Sequence, residues 1–298
     1  MKKILLIVSI LLVFLCSYLW HHSHTKLEKA PEPLVKLYLH QKNGVMELSL
    51  EDYIIGTVAA EMPASFEIEA LKAQAVCART YALKKIIDRH PYPRQADLSD
   101  DINSCQAFCD ISARNISTEN LKRIETAVKE TRGEIMLYNS RPIDALYHSC
   151  CGGKTDSSWG NSVQLEYLKA VRCKYCKESP HYYEKHLVPN SKIVALAGGN
   201  DPNLEIKILS FSPAGRANQM SINGKKVWAS DLRRQLNLPS QWLSVKVGPE
   251  QTEITTRGYG HGLGMCQYGA NGMAKRGHRY KDILNHYYQD IQIYKLPY

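Results

Sequence analysis

Apolar and polar positions alternate with a period of two in VKLYLH (35–40) and GVMELSL (44–50), predicting two short strands around a turn at Lys42-Asn43-Gly44. LEDYIIGTVAAEM (50–62) then reads as a helix that stops at Pro63, because the residue before a proline avoids the helical region. Ser65 or Phe66 opens a second helix, with Glu67 and Glu69 in its first turn, running to about Asp88. Residues 89–115 are polar and aperiodic, a long loop of the kind that often carries function. Ser117 caps a third helix, which Gly133 closes.

The second half switches to short alternating segments. EIMLY, PIDALYHS, LEIKILSFS, NQMSING, KKVWAS and WLSVKV are strand-like, with SDLRRQLN as a short helix among them. CCGGKTDSSWGNS reads as a loop. The Gly-rich GYGHGLGMCQYGANGMAKRG precedes a helix, YKDILNHYY, and a last strand, IQIYKL. This irregular order predicts an α+β fold: mixed helices and short antiparallel strands in two lobes around a groove, the lobes at about 35–140 and 141–298.

Ahead of this region, Lys2 and Lys3 precede the apolar run Ile4–Trp20, which has the length of a short bilayer span. No small-x-small cleavage site follows it. Residues 1–22 are therefore expected to be an uncleaved membrane anchor, 23–34 a polar linker, and 35–298 the working region on the outer side, periplasm or cell wall. A cleaved signal is the alternative. The formal net charge of +9 is spread along the 298 residues and suits an anionic partner such as lipid head groups or acidic glycan. No nucleic-acid-binding signature is visible, so nucleic acid is not an expected partner.

Three groups of residues could carry chemistry. Glu61 sits at a helix end among small and apolar neighbours; Lys72 and Arg79, seven residues apart, share one face of the next helix. Two cations facing a carboxylate could bind an anionic substrate group, and a partly buried carboxyl can serve as a general acid. An amphipathic helix with exposed cations is the plain alternative. In the Gly-rich segment, His261 with Gln267 and Tyr268 suits a polar ligand such as a sugar, with His148 a further candidate substrate contact, or else a tight turn with a structural His. Finally, Cys151, Cys173, Cys176 and His181 have the spacing of a structural zinc site, with His148 as an alternative fourth ligand. Disulfides using Cys150 or Cys151 compete with that reading, because export favours them. The chain has nine cysteines, so at least one stays unpaired, and Cys16 in the anchor is the natural candidate.

EDYIIGTVAAEMPASFEIEALKAQAVCARTYA, YHSCCGGKTDSSWG, EYLKAVRCKYCKESPHY and GYGHGLGMCQYGANGMA together resemble the SpoIID/LytB family of stage II sporulation protein D and the amidase enhancers. The resemblance runs from about residue 35 to the C-terminus. It implies a peptidoglycan lytic transglycosylase, a lyase that cleaves peptide-stripped glycan strands to 1,6-anhydromuramic ends in cell-wall remodelling during sporulation or division. It assigns Glu61 as the catalytic acid, and Lys72 and Arg79 as residues needed for activity. No cofactor is required for that chemistry. Glycan strands and a cell-wall amidase are the implied partners. A glycan-binding activator of an amidase, without turnover, is the second implied reading. Some relatives bind zinc in the loop after the Arg79 helix, but Ser99 and Ser104 stand here where they carry Cys and His, with Cys105 kept.

Overall fold

Strand Leu34–Leu39 turns Val35 and Leu37 fully inward and pairs antiparallel with Gly44–Ser49, Asn43 taking a φ of 45° in the turn between them. The computed structural model describes residues 30–113, 116–158, 165–199 and 203–298. The expected anchor and most of the linker lie outside the described residues, as does Cys16. Among the described residues, no helix is long and apolar enough to cross a membrane.

Seven α-helices lie among the described residues: α1 Leu50–Glu61, α2 Ile68–Ile87, α3 Thr118–Glu130, α4 Asn190–Leu196, α5 Ala229–Gln235, α6 Gln267–Ala274 and α7 Tyr280–Tyr287. The Ser49 hydroxyl caps α1 by accepting from the Asp52 N–H at 3.1 Å. Extended backbone at Met62, ahead of Pro63, ends it. Residues 63–66 form a tight turn, Phe66 N–H to Pro63 O at 3.0 Å, so α2 starts later than Ser65 or Phe66. The expected cap on α3 is present, Ser117 Oγ accepting from Asn120 N–H at 3.3 Å.

α2 organises the core. Ala70, Ala73, Ala75, Ala78 and Ala82 are fully buried, and these small side chains let α1, α3, α6, α7 and strand Glu134–Tyr138 pack against it from several directions. An amphipathic helix with one apolar stripe does not describe it: Gln74, Arg79 and Thr80 are buried as well. Residues 184–256 build a second core around Val188, Ile193, Met220, Ile222, Leu232 and Ile254, between two three-stranded sheets and the short helices α4 and α5.

Leu34–Leu296 is one compact unit. The chain does not divide near residue 140, because Glu134–Tyr138 pairs antiparallel with Gln292–Lys295 and the C-terminal helices return to α2. The pairing is not purely antiparallel either. Leu98–Ser99 adds parallel to the first strand, and Met265–Cys266 runs parallel to Tyr147–His148.

The strands Glu184–Pro189 and Gln251–Thr256 were not foreseen. In QTEITT the buried positions are Thr252, Ile254 and Thr256, so threonine hides the alternation. Helix α6 was hidden by its glycines, which serve packing rather than flexibility. A Cβ on Gly272 would lie 2.2 Å from the Tyr175 carbonyl oxygen. Gly272→Ala is expected to destabilise the fold by about 1–3 kcal/mol through overpacking, measured by denaturant unfolding. Wild-type stability in that variant would show that the 175 turn yields freely.

Candidate active site

Glu61 is the last residue of α1 and points into an open cleft of about 610 Å³. The long loop after α2 forms one wall through residues 102–106, and the Gly-rich segment forms another through Tyr259, Gly260 and His261. Phe108 anchors the loop by stacking on Tyr53 of α1, ring centroids 5.8 Å apart. Gly56 makes room for it, since a Cβ there would meet the Phe108 ring at 2.3 Å.

Two groups hold the Glu61 carboxyl. Ala107 N–H donates to Oε1 at 2.7 Å, and the Tyr147 hydroxyl is a hydrogen-bond partner. The Tyr147 hydroxyl also lies 2.9 Å from Gln106 Oε1, so its one proton is shared between that oxygen and Glu61, while Gln106 Nε2 donates to Ala78 O at 3.3 Å, which fixes that amide's orientation. Burial pushes the Glu61 pKa above the ordinary carboxyl value, although the Ala107 N–H and Tyr147 bonds pull it down. No Lys or Arg is among the described residues lining this cleft, so nearby cations do not offset the rise.

Lys72 and Arg79 do not face the cleft. Lys72 binds Glu69 at 2.7 Å and Glu130 at 2.6 Å, tying α2 to α3. Arg79 is 0% exposed and forks onto Glu51, Nε to Oε1 at 2.9 Å and Nη2 to Oε2 at 2.6 Å, with Nη1 donating to Glu134 O. Glu61 lies at the C-terminal end of α1, while these cations stand on sides of α2 turned to α3 and to the start of α1. Both expected substrate contacts are therefore structural ties.

The other expected contacts do line the cleft. His148 Nδ1 must donate to the Leu263 carbonyl at 2.9 Å, which leaves Nε2 as a buried acceptor without a partner among the described residues. Burial, with His261 and Arg216 nearby, holds His148 well below the usual histidine pKa. His261 accepts from the Leu263 N–H through Nδ1 at 3.1 Å, and burial lowers its pKa to about 4. Both rings are neutral at pH 7 and offer polar contacts rather than charge. Gln267 works from behind the carboxyl, Nε2 donating to the Glu61 backbone carbonyl at 3.0 Å. Tyr268 packs edge-on to Phe66, centroids 5.1 Å apart.

A second cleft of about 620 Å³ shares His261 and supplies the cations the first one lacks, Arg216 and Arg233. Arg216 is 5% exposed; it donates to the Cys151 and Lys154 carbonyls, each at 2.9 Å, pairs with the buried Asp156 carboxylate at 3.4 Å, and leaves Nε without a partner among the described residues. Sequence reading missed Tyr147, Gln106, Arg216 and Arg233. Tyr147 stood in the quoted YHS stretch, but nothing in its spacing marked it.

The cysteines converge differently from expectation. Cys151, Cys173 and Cys176 meet Cys266, all four buried, with their Sγ atoms within 4.8 Å of one another. His181 is elsewhere, its Nδ1 bonded to Glu184 and its ring 4.5 Å from that of Tyr259. His148 is not a ligand either. Eight cysteines are free among the described residues. The Cys105 loop gathers no comparable set among the described residues, so the zinc site of some relatives does not fit there.

The sequence profile of the SpoIID family, described as stage II sporulation protein, matches residues 38–138, which include Glu61, α2 and the loop wall. Stage II sporulation protein D of Bacillus amyloliquefaciens is 36% identical over 293 residues, 91% of this chain and 84% of that protein. The protein of the same name from Bacillus subtilis (strain 168) is 35% identical, over 89% of this chain and 80% of its own length. The amidase enhancer of Bacillus subtilis (strain 168) is 27% identical, over 78% of this chain but 39% of its own length. With identity above three residues in ten across most of both chains, and the matched block housing the cleft carboxyl, this chain belongs to the SpoIID family.

Proposed function

We propose that this chain is a peptidoglycan lytic transglycosylase acting on peptide-stripped glycan strands. One observation carries the reading: Glu61 is the single acid among the described residues that line the cleft, and burial raises its pKa. Hydrolysis of a glycosidic bond generally takes two carboxyl groups, an acid and a base or nucleophile. Ring closure within one sugar takes only one. Glu61 donates its proton to the bridging oxygen as the C1–O bond breaks. The resulting carboxylate accepts the proton of the sugar's C6 hydroxyl as O6 bonds to C1. The proton returns to Glu61, no water is consumed, and the product ends in a 1,6-anhydro ring. Proximity of C6 to C1 replaces the second catalyst.

The remaining groups fit a glycan. His148, His261 and Tyr268 offer neutral polar or aromatic contacts to sugar hydroxyls and ring faces. Arg233 in the adjoining cleft replaces Lys72 and Arg79 as a partner for muramic carboxylates. We place the reaction outside the cytoplasm, with Ile4–Trp20 as anchor and a cell-wall amidase as the enzyme that strips the strands first. The second reading, a non-catalytic activator of such an amidase, draws on the relative named amidase enhancer.

The test incubates the protein with peptide-free glycan strands and reads the products by mass spectrometry. Anhydro-ended fragments are expected. Reducing ends would make it a hydrolase. Binding without products, together with faster amidase turnover, would replace the transglycosylase by the activator.

A further inference from the structure

We propose that Cys151, Cys173, Cys176 and Cys266 hold one zinc ion as a closed four-thiolate site, and that this ion fixes the Gln267–Tyr268 edge of the cleft. Zinc–thiolate bonds of about 2.3 Å put the edges of a tetrahedron at about 3.8 Å. The Cys151 and Cys176 sulfurs are 3.5 Å apart, and no pair among the four exceeds 4.8 Å. That spacing suits one ion at a common centre. A disulfide would draw two sulfurs to about 2.05 Å and leave the other two outside it.

The surroundings suit thiolates. Cys151 N–H donates to Cys266 Sγ at 3.2 Å, Gly269 N–H to the same sulfur at 3.3 Å, and Gly153 N–H to Cys151 Sγ at 3.3 Å. The Tyr287 hydroxyl lies 3.3 Å from Cys173 Sγ. Four thiolates around a divalent ion leave a net charge of about −2, which these donors and the Arg216 guanidinium, bonded to the Cys151 carbonyl, offset. Four cysteines fill every position, so the ion is structural.

Its role follows from what it joins. The Cys151 turn, the Cys173–Cys176 segment and the first residue before α6 are distant in sequence and converge at these four sulfurs. Cys266 caps α6, and the next residue, Gln267, reaches the Glu61 carbonyl. The site thus sits one residue from the group that aligns the cleft carboxyl, and it stands whether or not Glu61 cleaves glycan.

The full chain, purified in mild detergent with reductant and no chelator, is analysed for metal by mass spectrometry. Stoichiometric zinc is expected, released as an organomercurial titrates four thiols. Cys173→Ser and Cys266→Ser lose the zinc; Cys150→Ser and His181→Ala keep it. Where a serine variant does not fold, wild-type protein reconstituted with cobalt shows the visible bands of tetrahedral thiolate coordination. Zinc removal raises amide hydrogen exchange across residues 265–269, a readout independent of activity. Metal-free protein with these cysteines in disulfides overturns the site. So does zinc retained in Cys266→Ser but lost in His181→Ala, and iron in place of zinc overturns the choice of ion.

Discussion

Glu61→Gln leaves the chain folded and lowers glycan cleavage by about 10²- to 10⁴-fold, the usual contribution of a positioned general acid. The amide keeps the size of the side chain and can still accept from the Ala107 N–H through its oxygen, so the 107 loop stays in place. What it loses is the proton. The wild-type rate falls as pH rises through the raised pKa of Glu61, because the acid form does the work. Stability moves the same way. A carboxyl whose folded pKa is raised costs stability as pH climbs from its unfolded value through its folded one. The glutamine variant is therefore at least as stable as wild type near neutral pH. Products and pH–rate profiles of both proteins check this, with thermal unfolding alongside. Unchanged turnover in the variant would remove Glu61 from the mechanism.

Arg79→Ala unfolds or severely weakens the protein. It strips the fork from Glu51, whose side chain is 7% exposed, so a buried negative charge loses its cation while keeping the Gly133 N–H bond at 3.1 Å. Breaking a buried ion pair from one side costs about 3–5 kcal/mol. That is a large share of the roughly 5–15 kcal/mol that holds a typical domain together. Urea unfolding gives the number directly. Pairing Arg79→Met with Glu51→Leu recovers much of the loss, since both charges then leave together. Were Arg79 a substrate contact, the single variant would keep its stability and bind glycan weakly.

That prediction marks where the sequence misleads. Spacing correctly places Lys72 and Arg79 on one side of a helix, but helical geometry alone does not say what that side meets. The answer comes from Glu51 and Glu130, acids on other helices that no local pattern ties to α2. Local signals served well wherever one residue decides: Pro63 stopping α1, Ser117 at the start of α3, Asn43 in the hairpin. They served poorly where the determinant lies far along the chain. Cys266 stands 90 residues beyond Cys176, so motif spacing favoured the nearer His181. Spacing left Glu61 open between chemistry and a surface turn, and the family resemblance singled it out. Its true partners, Ala107, Tyr147 and Gln267, come from three other segments.

The ties running back from the C-terminal helices have a consequence for timing. Gln267 holds the Glu61 carbonyl, Asn271 accepts the Glu67 N–H at 2.8 Å, and Glu69 accepts the Tyr280 N–H at 2.8 Å, each spanning more than 200 residues. A chain grows from its N-terminus, so Glu61 is made early and its backing arrives last. Until α6 docks, the buried face of α2 is bare and the carboxyl lacks one wall of its cleft. A nascent or C-terminally clipped chain therefore lacks the backing of Glu61, and the cleft is complete only once the whole polypeptide has been made and closed.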